Sequence, residues 1–204
     1  MKKLTATVAA LATGDHGDLG KVDCTSLDLE LVGIVRDRHR SFKREAWEGD
    51  KQPEGSERRN ERQWSAMSTE EISDIEKVMD LKEKLTPSVL GVNICFEGLA
   101  QLSRLPKGTL MKFPSGAELI VEEYNPPCLE MGQKIASTFT KNSGVPLTDF
   151  EFSKAAQLTR GLVGVVEVEG RIQVGDEVTV IPYEHPKWLE RNEVNNVVNL
   201  LKAK

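Results

Sequence analysis

Seven short β-rich runs, each closed off by turn-forming residues, constrain this chain most: residues 5–11, 27–35, 92–96, 109–113, 117–123, 162–169 and 177–181. The run 117–123 shows the pattern clearly, with Ala117, Leu119 and Val121 alternating onto one face. Turn signals at Gly170-Arg171 and Gly175-Asp176 separate the last β-rich stretches and predict an antiparallel hairpin there. Many short strands at this spacing predict a closed or nearly closed antiparallel β-barrel, because closure removes the exposed edges an open sheet must protect. The expected fold class is mainly β with a few flanking helices.

The helical signals are few. Ser68-Thr69-Glu70-Glu71 is a capping box, followed by Ile72, Ile75, Met79 and Leu85 before Pro87 ends the pattern. A second helix is expected after Cys128 and a third near residues 149–158. Trp188, Val194, Val197, Val198 and Leu201 recur at roughly helical spacing, so residues 182–204 read as a helical tail on a barrel domain of residues 1–181.

The exception to the strand pattern is the segment 36–63, with nine Lys/Arg, seven Asp/Glu and only Phe42 and Trp47 as large apolar side chains. It reads as a long, largely solvated loop insertion. Arg36, Arg38, His39, Arg40, Lys43 and Arg44 crowd its start, and Arg58, Arg59 and Arg62 its end. If the flanking strands are neighbours, the base of the loop is cationic and suits a phosphate or carboxylate. A plain solvated charged loop is the alternative.

Cys128 follows the run Glu122-Glu123-Tyr124-Asn125-Pro126-Pro127. Asn125 is a good helix N-cap, prolines are tolerated in a first helical turn, and Cys128, Met131, Ile135 and Phe139 recur at helical spacing. Cys128 then falls in the first turn, where the helix dipole favours a thiolate able to attack electrophiles, carry sulfur or ligate a soft metal. The competing reading is a buried structural cysteine.

Length and composition bound the rest. The 204 residues suffice for one sizeable core, and the net charge of −5 argues against nucleic acid or an anionic membrane as partner. Cys24, Cys95 and Cys128 lie far apart, without the spacing of a zinc site or a disulfide framework, so a reducing cytoplasm is expected. Residues 1–12 resemble a signal peptide superficially, but Thr5, Thr7 and Val8 suit a strand equally well. No run approaches the roughly eighteen apolar residues of a spanning helix.

Several separated stretches together resemble one family. Gly33-Ile34-Val35-Arg36-Asp37-Arg38-His39 is similar to a G-[IL]-x-x-D-R-H element, and Arg62-Gln63-Trp64-Ser65 to an R-Q-V-S element preceding Glu70 and Glu71. Gly91-Val92-Asn93-Ile94 with Gly98, then Leu105 with Gly108-Thr109-Leu110, Pro127-Cys128, and Arg160 through Val178 follow in matching order. Over residues 1–181 the ordered set resembles the MOSC domain, the C-terminal module of molybdenum cofactor sulfurases, in a stand-alone form.

That resemblance implies a barrel of the pyruvate-kinase type whose cysteine handles sulfur or molybdenum. Carried over by position, Cys128 becomes the catalytic thiolate, ligating metal or carrying a persulfide, and Arg38, His39, Arg62 and Asn93 line a cofactor pocket. The implied cofactor is the molybdenum cofactor, a molybdopterin, with pyridoxal phosphate only on a separate desulfurase. Sulfur transfer and molybdenum-dependent reduction are both open, and the implied partners are a cysteine desulfurase or a redox protein. The chain departs from the family pattern at Arg40-Ser41, where many relatives carry small residues, and at Trp64 and Met67. The rival function is a non-catalytic barrel that binds an anionic small molecule or a protein partner through the Arg-rich loop. A cysteine redox sensor would need a second thiol near Cys128, and the sequence does not place Cys24 or Cys95 there.

Overall fold

The computed structural model describes residues 3–14 and 19–186. Seven strands close into a barrel in the order β13 (Glu177–Ile181), β9 (Leu110–Lys112), β10 (Glu118–Tyr124), β11 (Leu162–Val168), β7 (Trp64–Ser68), β8 (Ile94–Glu97) and β1 (Leu4–Thr13). Pairing of β1 with β13, Leu4 opposite Val180, closes the ring, and β2 (Val22–Cys24) extends from the far end of β1.

The barrel is mixed, which corrects the expectation of an antiparallel one. β7 and β8 run parallel, with Ala66 opposite Ile94. Parallel neighbours need a crossover, and helix α1 (Thr69–Val78) supplies it. Half of the predicted capping box forms: the Glu71 N–H donates to Ser68 Oγ at 3.2 Å, while Glu71 Oε1 accepts from the Ser103 N–H. The helix stops at Val78, before Asp80 adopts a positive φ of 55°, so Leu85 lies beyond it.

Alternation along the strands divides the apolar residues between two cores. Val8, Trp64, Ile94, Phe96, Leu119 and Val178 fill the barrel. Met67, Cys95, Ile75, Met131, Ile135 and Phe152 pack the barrel's outside against α1, α2 (Leu129–Thr138) and α3 (Glu151–Ala155). In β8, Ile94 and Phe96 face inward while Cys95 between them joins the helix-side core.

Two strand expectations change in detail. The run 27–35 splits into β3 (Ser26–Glu30) and β4 (Gly33–Ile34), paired with each other. The expected hairpin over 162–180 does not form: β12 (Gly170–Gln173) leaves the barrel and pairs with β3, which sets the buried Ile172 opposite Leu27. β13 pairs instead with β1 and β9.

The segment 36–63 is also not a solvated loop. It folds into a hairpin of β5 (Lys43–Glu45) and β6 (Glu57–Arg59). Arg44 holds Asp50 bidentately at 2.6 and 2.8 Å and reaches Glu61 at 2.5 Å, while Arg58 pairs with the same two carboxylates. Asp50 and Glu61 are largely buried by these contacts. These paired charges hold the turn of the hairpin to its base, so a segment with almost no apolar content keeps a fixed shape.

Among the described residues no helix is long and apolar enough to cross a membrane. The predicted tail falls almost wholly on residues 187–204, outside the described set; of its earlier part, Tyr183 packs against Gly108.

One buried acid makes stability depend on pH. Burial of Glu71 raises its carboxyl to about 7, although Oε1 accepts the Ser103 N–H at 2.8 Å; Oε2 has no partner among the described residues. The folded state therefore holds this proton more tightly than the unfolded chain does. Stability falls as pH rises from about 4.5 to 7, by about 3 kcal/mol. Glu71→Gln is expected to remove this slope and to stabilise the protein at pH 8, measured by urea unfolding at pH 5 and pH 8. An unchanged slope in the variant would show that Glu71 ionises freely in the fold.

Candidate functional site

The two prolines after Asn125 keep the chain extended, because a residue preceding proline avoids the helical region. Helix α2 therefore starts at Leu129, and Cys128, not Asn125, is its N-cap. Cys128 has extended dihedrals, φ −103° and ψ 158°, and its side chain caps nothing. The thiol is exposed, so the structural-cysteine reading is not what the fold shows. Ser153 Oγ and the Gly132 N–H both donate to the Cys128 carbonyl, tying the start of α2 to α3.

Asn125, released from capping, receives 2.6 Å hydrogen bonding from Arg62 Nη2 through its Oδ1. Arg62 also lies over the Trp47 ring, 5.1 Å from the centroid, with Arg44 at 4.8 Å from the same ring. Burial lowers the pKa of Arg62, and the like charge of Arg44 adds to the effect.

Arg160 is the residue that sequence reasoning passed over. It is buried, 7% exposed, and donates to the Leu90 carbonyl at 2.7 Å and to Met67 Sδ at 3.4 Å. Burial pushes its guanidinium down to about 10, against the opposing pull of the Cys128 sulfur. Among the described residues, neither Arg62 nor Arg160 forms an ion pair with a carboxylate. The available signal was the Arg160-Gly161 pair opening the last of the matching elements, which reads equally well as strand entry.

His39 is oriented from behind by a buried acid. Asp37 Oδ1 meets His39 Nδ1 at 3.1 Å and the His39 N–H at 3.0 Å, while Oδ2 pairs with Lys21 Nζ and accepts from Asn93 Nδ2 at 2.7 Å. Burial opposes ionisation of Asp37, but the bonds from His39 and Lys21 outweigh it and hold the carboxyl well below its usual range. An ionised carboxylate only accepts, so His39 Nδ1 carries the hydrogen and Nε2 is left for other partners.

These elements enclose a cavity of about 460 Å3 walled by Arg38, His39, Trp47, Arg62, Cys128 and Arg160. Arg38, His39, Arg62 and Cys128, picked out from sequence, are thus brought together. Asn93 is not: it is fully buried, holding Asp37 with Nδ2 and accepting from Ser65 N–H and Oγ with Oδ1. It acts on the cavity through its partners, Asp37 behind His39 and Ser65 in the wall. Cys95 lies in the helix-side core, where burial raises its thiol to about 12, so it offers no reactive partner for Cys128. Among the described residues, no three or more His, Cys, Asp or Glu gather as a metal site.

The chain is similar to known proteins in both sequence and fold. YuaD of Bacillus subtilis (strain 168), named provisionally for metal-sulfur cluster biosynthesis, is 32% identical over 186 residues, covering 90% of this chain and 94% of its own. The crystal structure of a YuaD protein from Bacillus subtilis superimposes with a TM-score of 0.83 over 90% of this chain and 99% of that one. YiiM from Geobacillus stearothermophilus, 14% identical, shares the fold at a TM-score of 0.58, over 88% of this chain and 75% of its own. The family profile for the MOSC domain matches residues 44–179, from the hairpin to the closing strand, and with the YuaD similarity it shows that this chain belongs to the MOSC domain family.

Proposed function

We propose that this protein handles sulfur through Cys128 at a cavity suited to an anionic group of the molybdopterin class. One observation carries the reading: the exposed Cys128 thiol shares a cavity with Arg160, buried without an ion pair among the described residues, and with the half-buried Arg62, which feels Glu123, Glu61 and Asp50 only at a distance. Glu48 and Glu130 also line the cavity. A buried cation without a counter-charge is costly, and an oxyanion bound from the cavity side removes that cost. Guanidinium groups match phosphate bidentately, and the volume lies within the range of organic ligands.

The residues therefore fit such a group, with the arginines on its phosphate and Cys128 as a soft donor. When bound, the group would supply redox chemistry at molybdenum. The chain's own part is to hold the anionic end on Arg62 and Arg160, fix Arg62 through Asn125, and present the His39 ring, oriented by Asp37, at the wall. In the sulfur-carrying version, the Cys128 thiolate attacks the terminal sulfur of a donor persulfide. A new sulfur–sulfur bond forms on Cys128, and the donor leaves as a thiol. The donor is a separate protein of the cysteine desulfurase kind, and the YuaD similarity favours this version.

The test is molybdenum, pterin and sulfane-sulfur content of wild type and Cys128→Ser, purified from a cofactor-competent host. We expect stoichiometric metal or stoichiometric sulfane sulfur in the wild type, lost in the variant. Metal lost with the thiol marks Cys128 as a ligand; sulfane sulfur without metal marks it as a carrier. If wild type and variant are alike in all three, the non-catalytic anion-binding barrel is the better description.

A further inference from the structure

We infer that the β5–β6 hairpin builds a second, smaller anion site beside the Cys128 cavity. A separate cavity of about 130 Å3 has Arg38, His39, Trp47 and Arg62 in common with the larger one, so those four side chains form the partition. Lys43 and Arg44 of the hairpin complete its cationic lining, and no carboxylate lines it.

Two further observations point to a missing acceptor. Arg44 Nε is a buried donor with no hydrogen-bond partner among the described residues, although the other nitrogens of the same guanidinium hold Asp50 and Glu61. Arg44 and Arg62 also line this space as like charges, both lying over the Trp47 ring. An oxyanion placed beside them relieves the repulsion.

Size selects the ligand class. The volume equals on the order of four water molecules and lies below the range of organic-ligand pockets. A single tetrahedral oxyanion, phosphate or a phosphoryl group, fits both the volume and the donors. The assignment needs no chemistry at Cys128, which with Arg160 lines only the larger cavity, although Arg38, His39 and Arg62 are common to both.

Calorimetric titration of the full chain with inorganic phosphate tests it, in wild type, Lys43→Gln and Arg160→Gln. Lys43 lines only the small cavity, is 65% exposed, and pairs with an exposed Glu57, so its substitution leaves the fold intact. We expect two phosphates per wild-type chain, with Lys43→Gln weakening one of them roughly tenfold and leaving the other unchanged. A single phosphate, indifferent to Lys43→Gln and lost in Arg160→Gln, overturns the second site and leaves the larger cavity's reading standing. A single phosphate weakened only by Lys43→Gln supports the second site and counts against the larger cavity. No binding to the wild type overturns the second site. Pyrophosphate then separates the sources: one molecule excluding both phosphates marks a phosphoryl group reaching across the partition, and one molecule binding beside a retained phosphate marks a free ion.

Discussion

Asp37→Ala is expected to lower stability by about 3–5 kcal/mol, the range for removing one member of a buried ion pair. The side chains of Asp37 and Lys21 are 0% and 1% exposed, so the ammonium left behind has neither water nor a counter-charge. Asn93 Nδ2 and His39 Nδ1 lose their acceptor in the same step. Urea unfolding at neutral pH measures the effect as a lower midpoint at constant slope. Replacing both partners, Lys21→Met with Asp37→Leu, should recover the part of the loss due to the lone charge, while the acceptor of Asn93 Nδ2 stays missing. A loss under about 1 kcal/mol for Asp37→Ala would mean that Lys21 finds water in the folded state. The carboxyl's depressed pKa gives the matching pH dependence: its stabilisation is present above about pH 4 and is lost as pH falls below that.

Gly161→Ala should be comparably damaging, for a steric reason. Gly161 has φ of +95°, and an added Cβ would lie 2.0 Å from the Ala66 carbonyl oxygen and 2.7 Å from Met67 Cγ. Ala66 is paired in the barrel with Leu162, so its backbone cannot retreat without opening the β7–β11 ladder. Strain at positive φ and overpacking together amount to about 4 kcal/mol. The Gly161 carbonyl also accepts from the Asn125 N–H, so any folded fraction should show a displaced Arg62 and weaker phosphate binding. Gly116, with φ of +90° and open space around its Cβ, is the control, and Gly116→Ala should cost only about 1 kcal/mol. Equal losses at the two positions would refute the steric argument.

Strand positions were legible because a half-buried strand writes its two faces directly into the sequence. Glu177–Ile181 matches the expected run, and the alternation at 117–123 reappears as β10. Which strands pair is not written that way. Ile172 looked like the return arm of a hairpin, yet its partner is Leu27, far away in sequence. The parallel β7–β8 pair is equally silent, since the crossover helix looks the same whichever strand follows it.

The site divided along the same line. Arg38, His39, Arg62 and Cys128 stand out as charged or reactive residues near turns, and the barrel gathers them. The supports do not stand out: Lys21, Asp37 and Arg160 are charged residues that composition assigns to the surface, and only three-dimensional partners keep them inside. The hairpin is the strongest case, because a charge count cannot tell sixteen solvated ions from a segment in which Arg44 and Arg58 pair with Asp50 and Glu61.

The seam between β1 and β13 sets when this molecule can become whole. Leu4 waits for Val180, so β1 is made long before the strand that closes the ring on it. Until then β1 presents an unpaired edge on that side, and β9 lacks a neighbour on its own. A proteolytic cut just before Glu177 would strip one strand and unzip two, turning a ring without ends into an open ribbon prone to pair with other chains.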